Sequence, residues 1–145
     1  MKTLSDTFYS RMFFLAGIWN IMIGMTGACA MDFSVALFFG PGAVTDQFVA
    51  VMSFRLFMVA IAIFGIGYCL VSRDLAANRG IVWLGLVCKM ILFALFYYYF
   101  FTGRATVMAA LTVTGDGVWS ILFGLFLYRT GGGSSRRDAE TQSGK

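Results

Sequence analysis

Apolar residues run almost unbroken through four stretches of this chain, 12–31, 48–71, 81–101 and 105–128, and the polar residues collect between them. Crossing a hydrocarbon core takes about 20 residues at about 1.5 Å each, and all four stretches are long enough. A bilayer interior offers no water to backbone amides, so a spanning segment has to satisfy its own hydrogen bonds as a helix. The pattern therefore predicts an all-α integral membrane bundle of four transmembrane helices, forming one domain over 1–130. Composition agrees: of 145 residues, 59% are hydrophobic and 12% charged, with a mean hydropathy of +0.81, which is a membrane-protein profile.

The connections are less uniform. Residues 32–47 make a long outer connection that carries Phe33, Val35, Ala36, Leu37, Phe38 and Phe39 before Gly40-Pro41-Gly42. An apolar run too short to span predicts a short interfacial helix ending at the proline, with a loop packed over the bundle end as the alternative. The 72–80 connection is tight, with Asn78 placed as an N-cap, and makes the second and third spans neighbours. Beyond them, Gly131-Gly132-Gly133-Ser134-Ser135 opens a flexible polar tail over 131–145.

Charge gives these segments an orientation. Lys2, Arg11, Arg73, Arg79, Arg129, Arg136, Arg137 and Lys145 fall at the N-terminus, the second connection or the tail, and only Arg104 lies at the opposite side. Lysines and arginines bias short loops toward the cytoplasm, so both termini are expected inside, in a bacterial inner membrane. The net charge of +4 follows from this bias and from contact with the lipid bilayer, and calls for no nucleic acid. A competing reading makes the first stretch a cleaved secretory signal, because Ala28-Cys29-Ala30 imitates a small-residue cleavage site. The apolar run exceeds the usual signal core of about 7–15 residues, which favours a retained span.

Several chemistries are excluded. The chain has no histidine, which removes imidazole-bound haem and histidine-based metal sites. Cys29, Cys69 and Cys88 form no Cys-x-x-Cys pair, as a dithiol oxidoreductase would require. Of the acidic residues only Asp116 lies at membrane depth, too few for a carboxylate metal cage. The glycines match neither a P-loop nor a dinucleotide fingerprint. No cofactor and no metal ion is expected.

Helical spacing assigns many of the glycines to packing. Gly17, Asn20, Gly24 and Gly27 step by three or four residues along one face of the first span, where a second backbone can approach closely. Thr112, Asp116, Ser120 and Gly124 form a polar and small stripe on the last span. Depth then brings the polar groups to one level: Asp116 lies about 16 Å from the outer end of its span, and Asn20 and Lys89 about 12 Å from the inner ends of theirs. Arg55, about 10 Å deep, can extend toward the same layer. Ionised groups are costly at this depth and mark either a structural pair or a site. The predicted ligand-binding set is Asn20, Arg55, Lys89, Asp116, Thr112 and Ser120. Two bases face one acid in it, so either Lys89 sheds its proton or an anion shares the cavity: a carboxylate, an acidic lipid headgroup or, through its carbonyl, a quinone.

The run Phe64-Gly65-Ile66-Gly67-Tyr68, then Arg73-Asp74, Asn78-Arg79, Leu84-Gly85, Lys89 and Gly115-Asp116, resembles small four-helix bacterial membrane proteins of the broad DoxX-like kind. The resemblance extends over most of 12–129 and implies a quinone-linked redox role, for which this chain offers no cofactor ligand. Three functions follow as expectations: binding or transport of a small anionic or amphiphilic ligand, an accessory subunit of a larger membrane complex, and a quinone-linked enzyme. A transporter of this size is expected to work as a homodimer.

The charge asymmetry makes a topological prediction. A single cysteine placed at position 135 in a cysteine-free background should resist an impermeant thiol reagent added outside intact cells and react once the membrane is opened. Labelling from outside would reverse the orientation.

Overall fold

The computed structural model describes residues 4–43 and 47–143, with side chains through 130; Lys2, residues 44–46 of the outer connection and Lys145 lie outside the described residues, as do the side chains of Arg136 and Arg137. Five helices follow one another: α1 (Leu4–Cys29), α2 (Met31–Phe39), α3 (Phe48–Arg73), α4 (Arg79–Phe101) and α5 (Val107–Ser143). Four segments, Ser5–Cys29, Phe48–Arg73, Arg79–Phe101 and Val107–Thr130, are long and apolar enough to cross a membrane. The protein is an all-helical, multi-pass membrane bundle. α1 begins well before residue 12, because the polar residues ahead of the apolar stretch continue its backbone hydrogen bonding. α5 likewise runs on to Ser143, where composition predicted a flexible tail; extending an existing helix avoids the cost of nucleation.

Two close helix pairs make the bundle. α1 lies along α3 and α4 along α5. The first pair is set by glycines: a Cβ on Gly65 would come within 2.7 Å of the Gly17 carbonyl oxygen and 2.8 Å of the Ile21 nitrogen, and one on Gly24 within 2.6 Å of the Ala62 nitrogen. Backbone meets backbone there, which is how small residues let membrane helices associate without a hydrophobic driving force. The predicted glycine face of α1 is thus the α3 contact. Gly124 behaves differently, since a Cβ there would meet nothing within 4 Å, and it is not a packing position.

Apolar side chains fill the bundle at two levels. Toward the start of α1, Phe13 packs on Phe123 and Phe126 with ring centroids 5.0 Å apart in both cases, beside the buried Tyr68, Val71 and Val82. The other level holds Phe38, Met58 and Ala109, with Phe54, Phe57 and Phe96 against them.

α2 is the helix predicted for the outer connection, and it also packs over the bundle, with Met31, Ser34, Val35 and Phe38 buried. It stops at Gly40, whose φ of 97° breaks the helix one residue ahead of Pro41, where the proline ring disfavours helical backbone. Thr106 fastens this end to the bundle: its nitrogen donates to the Phe38 carbonyl at 3.0 Å, its hydroxyl donates to the Leu37 carbonyl, and its Oγ1 accepts from the Ala109 nitrogen at 3.1 Å. One residue therefore caps α5 and closes α2. At the opposite connection Asn78 holds the N-cap position without a side-chain cap bond. Its amide instead donates back to the Leu70 and Asp74 carbonyls, adding to the bond that the Leu70 carbonyl already accepts from the Asp74 nitrogen, at the helix end where carbonyls run short of intrahelical donors. Asp74 Oδ1 accepts from the nitrogens of Ala76 and Ala77 and shapes the turn.

Close approach at α1 and α3 gives a stability prediction. Gly65→Val should destabilise the bundle by about 1–3 kcal/mol, because backbone atoms cannot move aside as flexible side chains do. Gly115→Ala, where a Cβ meets open space, should leave stability unchanged or slightly raised. Reversible unfolding in mixed micelles measures both.

Candidate functional site

Lys89 projects from α4 into the bundle and is 5% exposed. It forms an ion pair with Asp116 of α5, and its ammonium donates to Asn20 Oδ1 of α1 at 3.3 Å. Three helices are thereby tied through one nitrogen. The fourth contributes Tyr68 of α3, 1% exposed, whose ring centroid lies 5.9 Å from Lys89 Nζ, at the limit of a cation–π contact. Gly85, one turn before Lys89, makes room for this ring: a Cβ at 85 would collide with the Tyr68 hydroxyl. The level predicted from depth arithmetic for Asn20, Lys89 and Asp116 is the level at which they meet.

Local sequence explains why these side chains turn inward. On α3 the buried positions are Met58, Ala62, Gly65, Tyr68, Val71 and Ser72, a helical stripe whose upstream continuation is Phe54, packed against Phe38 at 6.1 Å. Arg55 lies one residue off that stripe. It is exposed, makes no ion pair or hydrogen bond with the described residues and does not line the cavity, which corrects its expected place in the cluster. On an exposed side of a spanning helix a long guanidinium side chain can reach toward the headgroups. Ser120 is buried, but its hydroxyl donates to the Asp116 carbonyl at 2.8 Å within α5 and lies outside the cavity wall. Thr112 lines the cavity with its hydroxyl donating to the Met108 carbonyl at 2.8 Å. Its proton is already used.

Beside the ion pair is a cavity of about 60 Å³ bounded by all five helices. Its walls are mostly aromatic and aliphatic: Trp19, Phe38, Phe57, Ile61, Phe64 and Phe96, with Asn20, Tyr68, Lys89 and Asp116 as its polar side. A cavity this size exceeds the roughly 10–15 Å³ that one water needs. Phe96 belongs to this wall, so part of the aromatic face of α4 faces inward. Tyr68 and Phe38 were missed as site residues. The Tyr68 signal was present in its seven-residue offset from Ile61 and its glycine neighbours; Phe38 had none, because only the fold brings α2 against α5.

Without Arg55 the cluster holds one base and one acid. The surplus positive charge that pointed to an anionic ligand is absent, and the site is balanced as it stands. Among the described residues no three histidine, cysteine, aspartate or glutamate side chains gather to hold a metal, and Cys29, Cys69 and Cys88 are free thiols.

The pair makes a thermodynamic prediction. Asp116→Leu or Lys89→Met alone strands a buried charge and should cost about 3–5 kcal/mol, whereas the double change should recover most of the loss. A double-mutant cycle on unfolding in bilayers reads the coupling, and additive losses would mean that the two residues do not act together. No protein-family model, curated protein or solved structure matches the chain, so what the site does has to follow from its own atoms.

Proposed function

We propose that this is a small binding or transport protein of the bacterial cytoplasmic membrane, with both termini inside, that takes an amphiphilic molecule from the bilayer into the cavity beside Lys89 and Asp116. The observation that carries this reading is an apolar cavity at membrane depth with a charged, hydrogen-bonding side. A bundle needing the ion pair only to choose helix neighbours would gain by packing that space closed. Ligand sites are mostly apolar hollows with a few placed polar groups, and sites between the helices of a bundle are common. A balanced pair favours an uncharged or amphiphilic ligand over a free anion. The DoxX-like resemblance supports the same class of small membrane protein.

Filling the cavity tests the proposal. Protein purified gently from native membranes should carry a small apolar species in native mass spectra, and Ile61→Trp, on the wall, should lose it while keeping the wild-type melting curve. A wild-type protein that carries no such species, or one that carries it equally in Ile61→Trp, would put the accessory-subunit reading in front.

A further inference from the structure

Lys89 decides which atoms of its partners remain free. An ammonium group has donors only, so the atom Asn20 turns toward it has to be the amide oxygen, at 3.3 Å. The Asn20 amide nitrogen is left with two protons and no partner among the described residues. Asp116 gives Oδ1 to the same ammonium, and its Oδ2 has no protein partner among the described residues. No side-chain nitrogen or oxygen of the described residues is sealed off without a hydrogen bond, so both free atoms are reachable, and both residues line the cavity. Asn20 is itself 6% exposed. One free donor and one free acceptor thus flank a single ammonium.

We propose that the cavity selects a neutral, hydroxyl-bearing apolar molecule, an alcohol or phenol whose O–H donates to Asp116 Oδ2 and whose oxygen accepts from Asn20 Nδ2. A hydroxyl is the smallest group that does both from one atom. An ether or ketone accepts from Asn20 but leaves the carboxylate oxygen without a donor, and a buried acceptor left unpaired is penalised. A carboxylate brings a second negative charge beside Asp116 when the one base is already paired. An amine brings a second positive charge beside Lys89. At about 60 Å³ the cavity takes the hydroxyl-bearing end of the molecule, and the apolar body extends out past Trp19, which lines the cavity and is 46% exposed.

This proposal rests on the binding reading above and adds the ligand class. Three matched probes test it in lipid nanodiscs, with affinity expressed per mole of lipid: 4-octylphenol, 4-octylanisole and 4-octylbenzoate. The phenol should bind about ten-fold or more tighter than the anisole and the benzoate, because only it fills both free valences. Asp116→Asn keeps an oxygen for Lys89 and replaces the free acceptor by a donor, so the phenol's advantage over the anisole should fall to about two-fold or less. Should that variant fail to fold, the wild-type series decides alone. Equal binding of phenol and anisole, or tightest binding of the benzoate, overturns the hydroxyl assignment and leaves a binding cavity. Binding of none of the three removes the cavity as a site and the assignment with it.

Discussion

A lysine and an aspartate at membrane depth are costly unless each satisfies the other, and that condition organises this bundle. Lys89 reaches Asp116 on α5 and Asn20 on α1 through one ammonium, so α4 cannot rotate or slide without breaking contacts to two helices. Apolar packing in a bilayer does not choose between rotations of a uniformly greasy helix, because lipid tails are as apolar as leucine. A buried polar contact does choose, since the alternative is a charge in hydrocarbon. The polar cluster is the register mark of the structure.

The rest of the packing is consistent with that mark. Glycines bring α1 and α3 together on one side, and Arg79 ties α4 to the α5 carbonyls of Leu127 and Thr130 on the other. α2 crosses one end, where Phe38 closes the cavity, and Thr106 holds it there. The two apolar levels lie on either side of the polar layer, which keeps the ion pair in a medium where its mutual attraction is strong. The cavity beside the pair is a place where this packing is left incomplete, and its polar groups there retain free hydrogen-bonding capacity.

Charge balance separates the ligand expected from residue counting from the ligand expected from geometry. Counting Arg55 into the layer gives two bases to one acid and calls for an anion. Its actual position, one residue off the inward stripe of α3, returns the layer to balance. The preference then rests on hydrogen-bond valence rather than on net charge, and valence is a property of which oxygen of Asn20 and Asp116 Lys89 occupies.

The sequence by itself determined the number of spans, their helicity, the glycine face of α1 and the depth of Asn20, Lys89 and Asp116, because length, backbone satisfaction and a rise per residue are one-dimensional quantities. Depth could not reveal that Arg55 faces outward: apart from Arg55 the middle of α3 is apolar nearly all round, so its rotation is unsettled until glycines meet α1 and Tyr68 meets Gly85. Nor could it place Phe38, which depends on a helix distant along the chain, or show that Asn78 closes α3 instead of capping α4, since the carbonyls four and eight residues back reach its amide only in the geometry of the turn. The tertiary structure alone decided the cavity, because a cavity is a relation between faces of different helices, and a linear pattern carries no information about which faces oppose one another.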